Sequence, residues 1–145
     1  MDIVSQIKEA KELSDALGCV VRYFGADTGT LHLLGDDGLL HLKALNGDFP
    51  PPVLAVIQKI PIGKGMAGLA VERAQPVDAC NLQTDTSGDV RPGAKTTGME
   101  GAIVVPVFEG ARVVGALGIA SRSERTFDDE EKKSLIAAGR ALAAR

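Results

Sequence analysis

Gly63, Gly65 and Gly68, in the stretch IPIGKGMAG, stand at the G-x-G-x-x-G spacing. In dinucleotide-binding folds this spacing brings backbone against a pyrophosphate at a helix N-terminus, after a buried parallel strand and about twenty residues before an acidic one. The residues before Gly63 are IQKIPI, so Lys59 and Pro61 interrupt the apolar strand the motif requires. Asp85 has roughly the right separation but falls in a turn-rich stretch. The better reading is a tight turn leading into a helix, with glycine admitting positive φ and close packing.

Other reactive side chains are sparse. Cys19 and Cys80 are too few and too far apart for a disulfide framework, and no C-x-x-C pair is present. Cys80 reads first as a small buried hydrophobe. A redox-sensing thiol there would need solvent access and a cationic neighbour such as Arg91 or Lys95. His32 and His41 are predicted to pair across a hairpin whose turn spans Gly35 to Gly38. Zinc needs three or four ligands, and no third lies nearby, so both are expected to be polar residues on the less buried strand face. The segment NLQTDTSGDVRPGAKTTGMEG offers Asn81, Gln83, Asp85, Arg91, Lys95, Thr96 and Thr97 as partners for a small anionic or polar ligand. The alternative is a solvated lid with no ligand beneath it.

These groups need elements to hold them. Ile3, Ile7, Ala10, Leu13, Leu17, Val20, Val21 and Phe24 recur at helical spacing, which predicts one long amphipathic helix over Asp2–Phe24. Strands are expected over Thr28–Leu34 and Leu39–Asn46, followed by a short helix from Val53 to Lys59 whose entry the prolines at 50–52 favour. Ile60–Ile62 reads as an edge piece, Met66–Arg73 as a helix, and Val77 onward as a short strand ending near Cys80. Residues 81–101 are loop or marginal helix. Ala102–Phe108 and Arg112–Ala120 form a second hairpin, and a final helix runs over Phe127–Ala144 with Asp128 as N-cap and Glu131 completing a capping box. This order is not the strand-helix alternation of a parallel sheet, and it predicts an α+β fold with an antiparallel sheet. Strand alternation places Ala116, Gly118 and Ala120 on one face, against Val113, Leu117 and Ile119 on the other. The small row leaves room either for a ligand or for a closely packed helix.

A chain of 145 residues is expected to form one domain, residues 1–145. With 45% apolar and 24% charged residues and a net charge of -3, it has the composition of a soluble globular protein. That charge works against nucleic-acid binding. The start MDIVSQIKEAKELS has no secretory pattern, and no apolar run spans a bilayer, so a cytoplasmic location without membrane attachment is expected.

Three stretches in order, IPIGKGMAGLAVERAQPV, IVVPVFEGARVVGALGIASR and TFDDEEKKSLIAAGRALAA, resemble the successive signatures of a GAF domain. The resemblance implies an antiparallel sheet with the N- and C-terminal helices on one face and a small-molecule pocket on the other. It further implies a sensory or regulatory role in signal transduction, acting through a partner protein or within a larger regulator, and a homodimer formed by Asp2–Phe24 and Phe127–Arg145. With it, the ligand-binding candidates are Cys80, the seven loop residues named above, Gly118 and Ala120. The ligand is unidentified, and no cofactor or metal is specified. One catalytic branch, the free methionine-(R)-sulfoxide reductases, carries a cysteine within the glycine turn, where this chain has Ala67. A second cysteine is expected before the IVVP strand, where Thr96, Thr97 and Met99 stand, and acids in the last strand, where Gly118 and Ala120 stand. Nucleophile, resolving thiol and substrate clamp are absent together, which predicts a chain that is not an enzyme. A cyclic-nucleotide N-K-x-F pattern and a bilin Cys-His neighbourhood are also absent.

Overall fold

Alternation along the strands divides the molecule into two unlike halves. In the computed structural model, which describes residues Met1–Arg145, β5 (Gly101–Glu109) and β6 (Arg112–Ser121) form the central antiparallel pair. Ile103, Val105, Val107, Leu117 and Ile119 point to one face and are almost fully buried. With β1 (Thr28–Leu34), β2 (Leu39–Asn46), β3 (Lys59–Pro61) and β4 (Val77–Ala79) they make one six-stranded sheet of order β3-β2-β1-β6-β5-β4. The proline-containing β3 lies at an edge, where the missing N–H costs no ladder bond.

Three helices cover the aliphatic face: α1 (Ile3–Glu9), α2 (Leu13–Tyr23) and α5 (Asp129–Ala143). The capping box of α5 forms as expected, with the Glu131 N–H donating to Asp128 Oδ1 at 2.8 Å and the Asp128 N–H to Glu131 Oε1 at 3.2 Å. The single long N-terminal helix does not form. Ala10 turns to an extended conformation, φ -64° and ψ 141°, and the chain restarts as α2. The break lets α1 fold back against both α2 and α5, so that Ile3 and Ile7 join the same core as Leu17 and Val20. The Arg145 guanidinium stabilises the break, donating to the carbonyls of Ile7, Ala10 (2.7 Å) and Lys11 (3.2 Å). Those acceptors would otherwise be left without partners at a helix end.

The other face carries α3 (Pro51–Ile57), α4 (Gly65–Arg73) and a 3-10 helix over Pro92–Thr97. Two local irregularities decide which side chains reach it. At the first hairpin the Gly35 N–H donates to the Leu39 carbonyl at 2.8 Å, so the loop is the three residues Asp36, Asp37 and Gly38, the last at φ +78°. His32 then opposes Leu42, and Leu33 opposes His41. A one-residue slip exchanges faces, so the expected histidine pair is not formed. His41 bonds Asp37 at 2.9 Å, while His32 is only 2% exposed rather than on a less buried face. At the second hairpin, Val107 opposes Gly115 but Phe108 opposes Val113, a bulge that leaves Val114 unmatched. Val113 therefore packs beside Leu40, Ile60 and Ala116, on the face opposite to the one that simple alternation assigns it.

Candidate functional site

The glycine segment positions the site's edge. Gly63 and Gly65 have φ of +87° and +65°, and a Cβ at Gly68 would lie 2.4 Å from the Pro61 carbonyl oxygen. The turn thus needs glycine for conformation and for close packing, and the strand before it is a three-residue antiparallel edge. This geometry excludes the dinucleotide arrangement. It aims the uncapped N-terminus of α4 along the sheet face away from α1, α2 and α5.

A cavity of about 470 Å³ opens there, within the usual range for small-molecule sites. Thr30 and His32 of β1 form its floor with Val104 of β5. Val53, Val56 and Ile57 of α3 make one wall, and Met66 and Ala67 of α4 another. The 3-10 helix closes the side with Pro92, Gly93 and Ala94. The prolines at 50–52 start α3 at the height needed to overhang β1, Pro51 and Pro52 occupying its first helical positions.

His32 is the most deeply placed polar residue of the lining. Its Nε2 lies 2.8 Å from the Ile57 carbonyl oxygen, which can only accept, so Nε2 carries the proton. Burial pushes the imidazole below its ordinary value of 6.5, opposed by that hydrogen bond, and the ring is neutral at neutral pH. Nδ1 is then an acceptor. It has no protein partner, yet no fully buried side-chain nitrogen or oxygen is left unpaired, so Nδ1 is reached from the cavity that the ring lines.

The mouth has a single sign of charge. Lys64 and Arg91 line it, both are exposed, and neither takes part in an ion pair. No Asp or Glu belongs to the lining. Gly65 admits the Arg91 stem: a Cβ there would meet Arg91 Cδ at 2.9 Å.

Of the residues singled out from sequence, Arg91, Thr96 and Thr97 line this cavity. The others lie elsewhere. Gln83 bonds the carbonyls of Lys95 (3.0 Å) and Met99 (2.9 Å), and Asn81 bonds Glu124 (2.8 Å) and Glu100 (3.3 Å), which braces the loop instead of presenting donors. Asp85 receives the Ser87 hydroxyl at 2.6 Å, and Lys95 points to solvent outside the lining. Cys80 is exposed at the exit of β4, not a buried hydrophobe, because the chain there leaves the sheet edge. Ala120 packs against the cluster that holds Leu82 and Met99, and Ala116 clusters with Leu40, Ile60 and Val71. Over those two ends of the small-residue row, close packing fills the space. Gly118 instead lets Thr30 Oγ1 and Val104 approach, each 3.2 Å from where a Cβ would be, and so supports the floor from beneath. Thr30, His32 and Lys64 fall outside the ligand-binding candidates that the sequence offers, which are confined to Cys80, the loop after it, Gly118 and Ala120. The only signal for them was the triple proline, which marks a helix placed over the sheet.

The family model for the GAF domain matches residues 9–144. The chain belongs to the GAF domain family. Solved GAF structures superimpose over nearly all of it. The GAF domain of the Acinetobacter phosphoenolpyruvate-protein phosphotransferase is 22% identical, with a TM-score of 0.76, covering 98% of this chain and 86% of that one. The corresponding domain from Coxiella burnetii is 25% identical, with a TM-score of 0.74, covering 98% and 86%. The free methionine-R-sulfoxide reductase of Neisseria meningitidis, in complex with its substrate, is 21% identical, with a TM-score of 0.75, covering 98% and 82%. No curated protein sequence matches. The shared fold therefore occurs both in GAF domains of phosphoenolpyruvate-protein phosphotransferases and in a free methionine-R-sulfoxide reductase. No helix of this GAF domain is long and apolar enough to cross a membrane, and no three His, Cys, Asp or Glu residues cluster as metal ligands.

Proposed function

We propose that this GAF domain is a non-catalytic receptor for a small molecule, passing the occupancy of its cavity to a signalling partner or to a larger regulator of which it forms part. The cavity carries this reading: about 470 Å³ walled by α3, α4 and the 3-10 helix, with unpaired polar groups at floor and mouth. Ala67, Thr96 and Thr97, at the positions where the reductases' cysteines are expected, all line it. None of them can attack a sulfoxide sulfur or resolve a sulfenic acid. A cytoplasmic homodimer joined through the helical face completes the proposal, leaving the cavity face free.

The competing reading, a reductase-like or thiol-sensing protein, draws support from the fold shared with the Neisseria enzyme. It would have to work through Cys80, which is exposed and outside the cavity lining. Incubation with free methionine-(R)-sulfoxide and dithiothreitol decides between receptor and reductase. The expected rate equals that of buffer alone, unchanged in Cys80→Ser. Turnover that Cys80→Ser abolishes would sink the receptor reading.

A further inference from the structure

The cavity's polar groups are arranged from one end to the other, and that order restricts what it can hold. At the floor, Nδ1 of the nearly buried His32 offers a lone pair with no protein partner. Beside it, the Thr30 hydroxyl takes no part in any side-chain hydrogen bond within the protein, while Thr96 and Thr97 donate to the carbonyls of Gly93 and Ala94 at 2.7 Å. The middle is aliphatic, formed by Val53, Ile57 and Ile60. The mouth holds Lys64 and Arg91 with no acid to neutralise them, although the whole chain carries a net charge of -3. The first turn of α4, Gly65–Ala67, adds the positive end of a helix dipole on the same side.

Resting on the receptor reading above, we propose that the cavity takes an amphipathic organic anion: a hydroxyl or N–H donor at its inner end for His32 Nδ1, an apolar body, and a carboxylate or phosphate held at the mouth by Arg91 and Lys64. Each part of the molecule has its physical warrant. A neutral imidazole that already donates through Nε2 can only accept from the ligand. A cationic inner end is disfavoured, since an ammonium there would be desolvated with no carboxylate in the lining to pair with it. Arg91 offers a planar fork suited to an oxyanion, and its stem is seated against Gly65. A ligand charged at both ends, or positive at either, meets no matching group.

Four probes that differ one group at a time test this by ligand-observed saturation-transfer NMR on the full chain: 3-(4-hydroxyphenyl)propionate, 3-phenylpropionate, 4-ethylphenol and tyramine. The hydroxyphenyl acid is expected to bind at least about tenfold tighter than tyramine and several-fold tighter than 3-phenylpropionate. Arg91→Ala and Lys64→Ala, both at exposed positions and to be checked for native folding by circular dichroism, should together reduce its affinity to that of 4-ethylphenol. The proposal is overturned if tyramine binds as well as the acid, if the inner hydroxyl makes no difference, or if the double variant retains full affinity. Binding of 4-ethylphenol alone would overturn the anion assignment while leaving the receptor reading intact. Silence from all four probes would count against both.

Discussion

His32 joins a polar function to a structural one, and its protonation couples them. Its imidazole is held below the ordinary value of 6.5 chiefly by burial, so the folded state binds the proton less readily than the unfolded chain. The stabilisation it provides is complete above about pH 6.5 and declines as pH falls through and below that value. The carboxylates held low, Asp37 by its His41 hydrogen bond and Asp89 by Arg73, titrate well beneath this window. Urea unfolding at pH 7.5 and 5.5 should therefore show a loss of stability on acidification. The loss is expected to shrink in His32→Gln, whose amide can still donate to Ile57 but does not titrate. An unchanged pH slope in that variant would exclude His32 as its source.

At the scale of elements, the break between α1 and α2 depends on a residue more than a hundred positions away. Arg145 holds three carbonyls around the break, and hydrogen bonds from charged donors contribute more than neutral ones. Arg145→Ala is expected to cost about 1–2 kcal/mol, discounted for the exposure of that side chain. Hydrogen exchange should localise the effect: faster exchange in Ile3–Glu9 with β5 and β6 unchanged. A uniform change across the sheet would mean that α1 is not an independently released unit. The same element logic explains the cavity wall. Prolines start α3, a glycine turn starts α4, and both short helices line the cavity.

For the whole molecule, the two sheet faces divide the work. One is filled by aliphatic side chains beneath three helices; the other is partly open. Half-buried Leu13, Cys19, Ile136 and Ala141 fringe the helical layer, which supports the proposed pairing of two copies through that side. Multi-angle light scattering at high micromolar concentration should give twice the 15.1 kDa chain mass. A monomer mass there would remove the dimer from the proposal while leaving the cavity untouched.

Periodicity and turn chemistry alone determined the order of strands and α-helices from Thr28 onward, the strands of both hairpins, the α5 capping box and the edge position of β3, because these depend on residues a few positions apart. The family signatures were equally legible, since each is a contiguous stretch. What only tertiary structure decided was register and long-range closure. A first turn one residue shorter than the expected four sent His32 to one face and His41 to the other, a bulge moved Val113, and Arg145 braced the end of α1 from across the molecule. The cavity lining depends on convergence: Thr30, His32, Lys64 and Arg91 line one cavity only because β1, α3, α4 and the 3-10 helix come together in space, and convergence leaves no local mark on the chain.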